Sequence, residues 1–159
     1  MAELTSLEAR ITALEDLESI IQLKSKYWKC VDGKRWDELG ECFSEDATTD
    51  YGPTKRIKGR KAIVEWFRDH STIGRPLVIG VHHGHNHEIQ FTGSNSAKGI
   101  WQLFQYTIYA NTNRGRRHAG SYVDEYIKES DGWKLKFTST INTFREEFDR
   151  EQQGLESIH

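Results

Sequence analysis

The densest concentration of reactive side chains in this 159-residue chain is the run Val81-His82-His83-Gly84-His85-Asn86-His87, which holds four of its seven histidines. On a strand, side chains alternate between faces, so His83, His85 and His87 would share one face and His82 would take the other. Three imidazoles on one face could bind zinc or another transition metal. No carboxylate or cysteine motif accompanies them, and Glu88 points the wrong way on an unbulged strand. The same residues also read as polar fill on a partly exposed sheet face. In a third reading His82 alone enters a cavity as a general acid/base, because imidazole titrates near neutral pH.

A histidine base works best beside a group that fixes its tautomer and stabilises its cation. Asp32 is the candidate, at the C-terminal end of a helical stretch, where a carboxylate meets an unfavourable dipole. It is either a solvated turn residue before Gly33 or a functional group paired with a cation. Tyr27 and Asp32 lie about 140° apart around that helix, on opposite shoulders of its apolar stripe. They cannot touch through the helix, but both can flank a cavity lying over the stripe. Tyr51, at the end of a first strand, would add a second phenol. Two phenolic donors suit an oxyanion such as an enolate. Each tyrosine otherwise reads as core packing with its hydroxyl satisfied locally.

The elements that must position these groups show in the apolar periodicity. Leu4, Leu7, Ile11 and Leu14 repeat at helical spacing, and the phase slips near Asp16. A second stripe runs through Leu17, Ile20, Ile21, Trp28 and Val31, with Lys24 as its polar break. This predicts a helix over 16–32, capped by Asp16 and ended by a left-handed Gly33, with 1–15 as a helical arm. A short helix over 35–43, a strand over 47–51 broken at Gly52-Pro53, and a helix over 60–70 follow, with 74–76 closing the helical half. Long segments rich in β-branched and aromatic residues, 78–91, 97–110, 117–129 and 133–144, are separated by turn chemistry. They predict a strongly twisted antiparallel sheet, and three preceding helices must cover one of its faces to bury their stripes. The fold class is α+β, a half-barrel with a cavity between sheet and helices. Residues 146–159 read as a short helix or a charged tail.

Lys plus Arg total 22 against 24 Asp plus Glu, a net charge of −2, which lacks the basic surplus of a nucleic-acid binder. No apolar run is long enough to span a bilayer. The first residues carry no signal-peptide pattern. Cys30 and Cys42 fit buried, reduced thiols, so a cytoplasmic single domain over 1–159 is expected.

Taken together, these residues resemble a known family. The run from Tyr27 to Leu39 resembles the opening signature of SnoaL-like proteins in the nuclear transport factor 2-like superfamily. The agreement continues through Phe43 to Tyr51 and Gly59-Arg60. It resumes at His82 to His85 with Glu88-Ile89, at Gly99 and Trp101, and at Gly120 to Tyr126 and Asp131 to Leu135. The resemblance covers roughly 15–145 and implies a cone-shaped α+β half-barrel: a curved antiparallel sheet under three N-terminal helices, enclosing an apolar pocket. It also implies a homotrimer in contact through the exposed sheet face. Family members of this kind include bile-acid dehydratase and scytalone dehydratase, which are lyases without cofactors.

The resemblance assigns His82 as the catalytic histidine, Asp32 as its partner, and Tyr27 and Tyr51 as pocket tyrosines. Where the bile-acid enzyme has an acidic residue this chain has Gln105, and where that enzyme has an arginine this chain has Asn142. Both are neutral amides, and His118 and Arg145 are neighbouring substitutes for the lost cation. Trp101, Phe104, Tyr106, Tyr109 and Tyr122 would line or back a pocket for flat rings, or form an ordinary β core. The implied activity is a cofactor-independent lyase on a hydroxylated apolar ring or aromatic compound. It would act by dehydration or by retro-aldol loss of a small aldehyde such as formaldehyde. An isomerase or cyclase, a non-catalytic binding or assembly module, and a metal enzyme using His83, His85 and His87 are the other readings.

Overall fold

The computed structural model describes residues 6–51, 56–72 and 78–155. Helix α1 (Leu7–Asp32) and helix α2 (Trp36–Glu41) lead into strand β1 (Phe43–Asp50) and the short strand β2 (Arg56–Lys58). Helix α3 (Arg60–Thr72) precedes four long strands, β3 (Val78–Gly93), β4 (Ser96–Tyr109), β5 (Arg114–Glu129) and β6 (Gly132–Asp149). The six strands form one curved sheet in the order β2-β1-β6-β5-β4-β3, which leaves it unclosed. Gly52-Pro53 and 74–76 lie outside the described residues.

The periodicity misplaced the start of the first helix. Ser6 is the N-cap, accepting from the Ala9 amide at 3.1 Å, and α1 runs unbroken to Asp32. Asp16 caps nothing. Its carboxylate accepts from Trp133 Nε1 at 2.9 Å and Lys128 Nζ at 2.7 Å, which docks mid-helix onto the β5–β6 hairpin. The slip in apolar phase is therefore the point where α1 reaches the sheet. The turn before it keeps Leu7 and Leu14 exposed at 70% and 65%. Gly33 is right-handed at φ −82°, and Lys34 takes the left-handed step at φ 56°.

The sheet also differs from an all-antiparallel one. The four long strands pair antiparallel as expected, but β1 pairs with β6 in parallel. The strand expected over 47–51 begins four residues earlier, at Phe43, whose side chain is fully buried. The segment expected as a tail from 146 continues β6 to Asp149, pairs with Arg114, and ends in a 3-10 turn at Glu151–Gln153. The charges on β6 face charges on β5, so a strand hides there behind a hydrophilic composition.

The core lies between the helices and the concave face of the sheet. Ile20 from α1, Leu39 from α2, Ile63 from α3, and Phe43 and Leu135 from the sheet are all fully buried. Each such side chain contributes about 1.5–3 kcal/mol of transfer free energy. Cys30 and Cys42 are buried free thiols, and burial pushes the Cys42 thiol up to about 12, so both rest protonated. Among the described residues no helix is long and apolar enough to cross a membrane.

Candidate active site

Asp32 is the last residue of α1, and its carboxylate reaches strand β3. Oδ1 lies 2.5 Å from His82 Nδ1, and Oδ2 accepts the His82 backbone amide at 3.0 Å. The two side chains are 24% and 11% exposed. A carboxylate at a helix C-terminus opposes the dipole, and here two donors from one residue offset that cost. The contact assigns the proton to Nδ1, since an ionised carboxylate only accepts, and leaves the Nε2 lone pair as the basic site.

Tyr27 and Tyr51 meet across the helix–sheet gap with their hydroxyls 2.7 Å apart. One hydroxyl donates to the other, so one O–H remains to point elsewhere. Burial pushes both phenols well above their ordinary value, with Tyr51 adding to the rise at Tyr27 and Tyr122 to the rise at Tyr51, which keeps them neutral donors. The Tyr51 ring stacks on Trp66, centroids 5.7 Å apart, and meets Phe67 edge-on at 5.6 Å.

Across the sheet, His82, Gln105, His118 and Arg145 are in register on β3, β4, β5 and β6. They form one row on the concave face. A register shift between Ala119 and Gly120 places three residues of β6 against two of β5, so Asn142 and Arg145 both face inward. On a regular strand they would face opposite ways. His118 sits between the two amides, Nδ1 3.3 Å from Gln105 Oε1 and Nε2 2.6 Å from Asn142 Oδ1. Burial lowers its pKa, with Arg116 and Arg145 adding repulsion. A neutral imidazole carries one N–H, so one of these amides turns its NH2 toward the ring.

These groups border a cavity of about 610 Å3 whose wall includes His82, Tyr27, Tyr51, Gln105, His118 and Asn142. Seven of the eight expected site residues are therefore brought together: six on this wall, and Asp32 on the wall of an adjoining chamber of about 200 Å3. Trp101 is the eighth, and it is not on either wall. It is 3% exposed, donates to the Tyr126 hydroxyl at 2.8 Å, and packs edge-on against Trp28 at 5.3 Å. Of the other aromatic residues on the strands, Tyr122 lines the cavity and Tyr109 the smaller chamber. Phe104 and Tyr106 alternate with the inward Leu103 and Gln105, and so face outward.

The expected pocket was apolar, but the observed one has two characters. Trp66, Phe67, Leu103 and Tyr122 supply a largely aromatic, apolar side, whereas His70, Arg116 and Arg145 join the row of polar groups. Arg116, His70 and Trp66 were missed by the sequence reading. Period-two alternation from His118 through β5 would have found Arg116, and the helical face of Ile63 and Phe67 would have found Trp66 and His70.

The histidine run does not form a metal site. Asn86 is left-handed at φ 49°, and a register shift between His85 and Glu88 breaks the alternation. His83 and His85 stay on one face, whereas His87, still exposed, lies on the other against Trp101, ring centroids 4.9 Å apart. Among the described residues no three His, Cys, Asp or Glu side chains converge as ligands.

A SnoaL-like domain model matches residues 12–139. The uncharacterized protein Rv2910c of Mycobacterium tuberculosis is 24% identical over 127 residues, covering 79% of this chain and 84% of that one. A protein from Novosphingobium aromaticivorans, provisionally assigned as a scytalone dehydratase, superposes with TM-score 0.79 at 23% identity, covering 87% of this chain and 91% of that one. A type 2 hexachlorocyclohexane dehydrochlorinase, LinA, superposes with TM-score 0.75 at 16% identity, covering 87% and 90%. The structural likenesses bear on the fold, and the match over most of the length settles the kinship: this chain belongs to the SnoaL-like domain family.

Proposed function

We propose that the protein is a cofactor-independent lyase acting on a hydroxylated, largely apolar ring or aromatic compound. The observation that carries this reading is the 2.5 Å contact between Asp32 and His82 at the wall of a cavity that Tyr27 and Tyr51 also border. His82 Nε2 takes the proton from the carbon beside a carbonyl, and the electron pair moves onto the carbonyl oxygen as an enolate. The free phenolic O–H of the Tyr27–Tyr51 pair donates to that oxygen. The enolate then collapses, the β-hydroxyl leaves, and the imidazolium returns the proton to it as water. Asp32 stabilises the imidazolium between the two steps.

The same groups support a retro-aldol variant. There His82 removes the hydroxyl proton of a hydroxymethyl group, the C–C bond breaks, formaldehyde leaves with the bonding pair retained by the ring-bearing fragment, and the imidazolium then protonates that carbon. An isomerase uses the first half of the elimination and reprotonates carbon instead of oxygen. The cavity speaks for an enzyme over an assembly module, because a purely structural domain gains nothing from an open space beside a partly buried acid/base pair. For assembly we favour a trimer through the outer sheet face, where Ile141, Phe144 and Ile100 are exposed at 61%, 43% and 42%.

The reading is tested by mass-spectrometric screening of hydroxylated steroids and lignin-type diols for loss of water or formaldehyde. The expected result is turnover by the purified protein that falls at least about 100-fold in His82→Ala. Turnover unchanged in that variant removes the mechanism.

A further inference from the structure

We propose that the cavity binds substrates through a carboxylate, held by Arg116 and Arg145 across the sheet from His82. The cavity wall carries Arg116, Arg145, His70 and His118, and no aspartate or glutamate lines it among the described residues. Asp32, in the adjoining chamber, is committed to His82. Glu147 lies opposite Arg116 on the neighbouring strand and accepts one N–H of Arg145 at 2.7 Å, with the Arg145 and Glu147 side chains about half exposed, so both guanidinium groups have this carboxylate close by. A guanidinium has five N–H donors, so Arg145 keeps others for a ligand. Two guanidinium groups on one concave wall favour a planar anion that can accept parallel N–H donors, which a carboxylate does.

Position follows from register. Arg145 lies three strands from His82 in the same row, and Arg116 lies two strands away and two residues along β5 from His118. Three strand spacings come to ~14 Å on a flat sheet. Curvature and the length of the arginine side chains shorten the gap, so a rigid two-ring skeleton spans it. The aromatic side formed by Trp66, Phe67 and Tyr122 covers the rings between. The proposal rests on the lyase reading only in taking His82 as the reacting end, since the binding itself requires no turnover.

The test is calorimetric titration with 2-naphthoate and its neutral isostere 2-naphthamide. The carboxylate is expected to bind about tenfold tighter or more, the scale of a charge-assisted hydrogen-bond pair in a partly desolvated site. Arg116→Gln combined with Arg145→Gln is expected to erase the preference, and His82→Gln to retain it. Circular dichroism checks the fold. Should the double variant unfold, Arg145→Gln alone, at an exposed position, is expected to narrow the preference by about threefold. Equal affinities, no binding of the carboxylate at millimolar concentration, a preference that survives in the arginine variants, or one lost in His82→Gln overturns the proposal. A carboxylate preference without turnover of any screened compound counts against the lyase reading and leaves the binding site standing.

Discussion

Asp32 grips His82 at two points: one carboxylate oxygen at ring Nδ1 and the other at the backbone amide of the same residue. The ring is thus fixed in position through its own main chain, fifty residues downstream of its partner. Rotation of the carboxylate away from the ring would also strand the His82 amide. The pair acts as one unit with a single free basic atom, Nε2.

Replacing Asp32 with Asn tests that unit. An amide can donate to Nδ1, which would invert the tautomer and put the proton on Nε2, where a base is needed. Turnover is expected to fall by about 10²–10⁴-fold, with His82→Gln falling at least as far and the double variant no further than the worse single. Independent, multiplying losses in the double variant would show that the two residues do not act together.

The tyrosine pair makes a prediction about alkaline pH. Burial raises Tyr27, Tyr51, Tyr122 and Tyr126 above their ordinary value, so the folded state holds these protons after the unfolded chain releases them. That stabilisation is complete below about pH 10, the unfolded value, and is lost as pH rises beyond it. Lys24 works the other way, since burial lowers its pKa, but it is one group and its effect ends near the unfolded lysine value of about 10.4. Urea unfolding midpoints should therefore drop steadily above pH 10, and Tyr51→Phe should flatten the drop. In turnover, Tyr27→Phe and Tyr51→Phe should each cost about 10–100-fold in kcat with little change in KM, the mark of an interaction made in the transition state. A loss confined to KM would make them packing residues.

Much of this arrangement is visible in the sequence where one local rule decides. The turns around Asn95 and Gly132 delimit the long strands, and alternation on β3 sends His82 inward. What escaped depends on partners distant in the chain. Parallel pairing of β1 with β6 has no local signature, and neither does the role of Asp16 as an acceptor for Trp133 on the β5–β6 hairpin. The bulges at Asn86 and beside Asn142 each insert one residue, and a one-residue slip reverses every assignment beyond it. That is why His87, expected on the face of His83 and His85, lies against Trp101 instead, while His82, on the regular part of its strand, keeps its expected face.

At Gly84 strand β3 packs tightly against Trp28 of α1. A Cβ built there would lie 1.7 Å from Trp28 Cη2, so the indole occupies the space a side chain would need. Gly84→Ala should destabilise by about 1–3 kcal/mol, the range for overpacking, and shift the His82–Asp32 alignment two residues away. Trp28→Leu in the same chain should recover part of that loss by vacating the space. Denaturant midpoints of the two variants decide the matter, and a Gly84→Ala protein as stable as the parent would contradict the contact.

Behind Tyr122, which borders the cavity, lies the buried ion pair of Lys24 and Asp124. Nζ and Oδ2 are 2.7 Å apart with both side chains at 0% exposure, and the Tyr126 hydroxyl donates to the same carboxylate at 2.7 Å. Lys24 Nζ also lies 3.8 Å from the ring centroid of Tyr122, which borders the cavity. Burial pulls the lysine toward neutrality, and the attraction of Asp124 opposes it. Lys24→Met leaves a buried carboxylate with one neutral donor, which should cost about 3–5 kcal/mol. Adding Asp124→Asn removes the stranded charge while keeping an acceptor for Tyr126, so the double variant should regain most of that loss. Urea unfolding of the four proteins in this cycle measures the coupling directly. If the two substitutions simply add, Lys24 and Asp124 are not holding each other, and the cavity wall at Tyr122 rests on the aromatic packing around them.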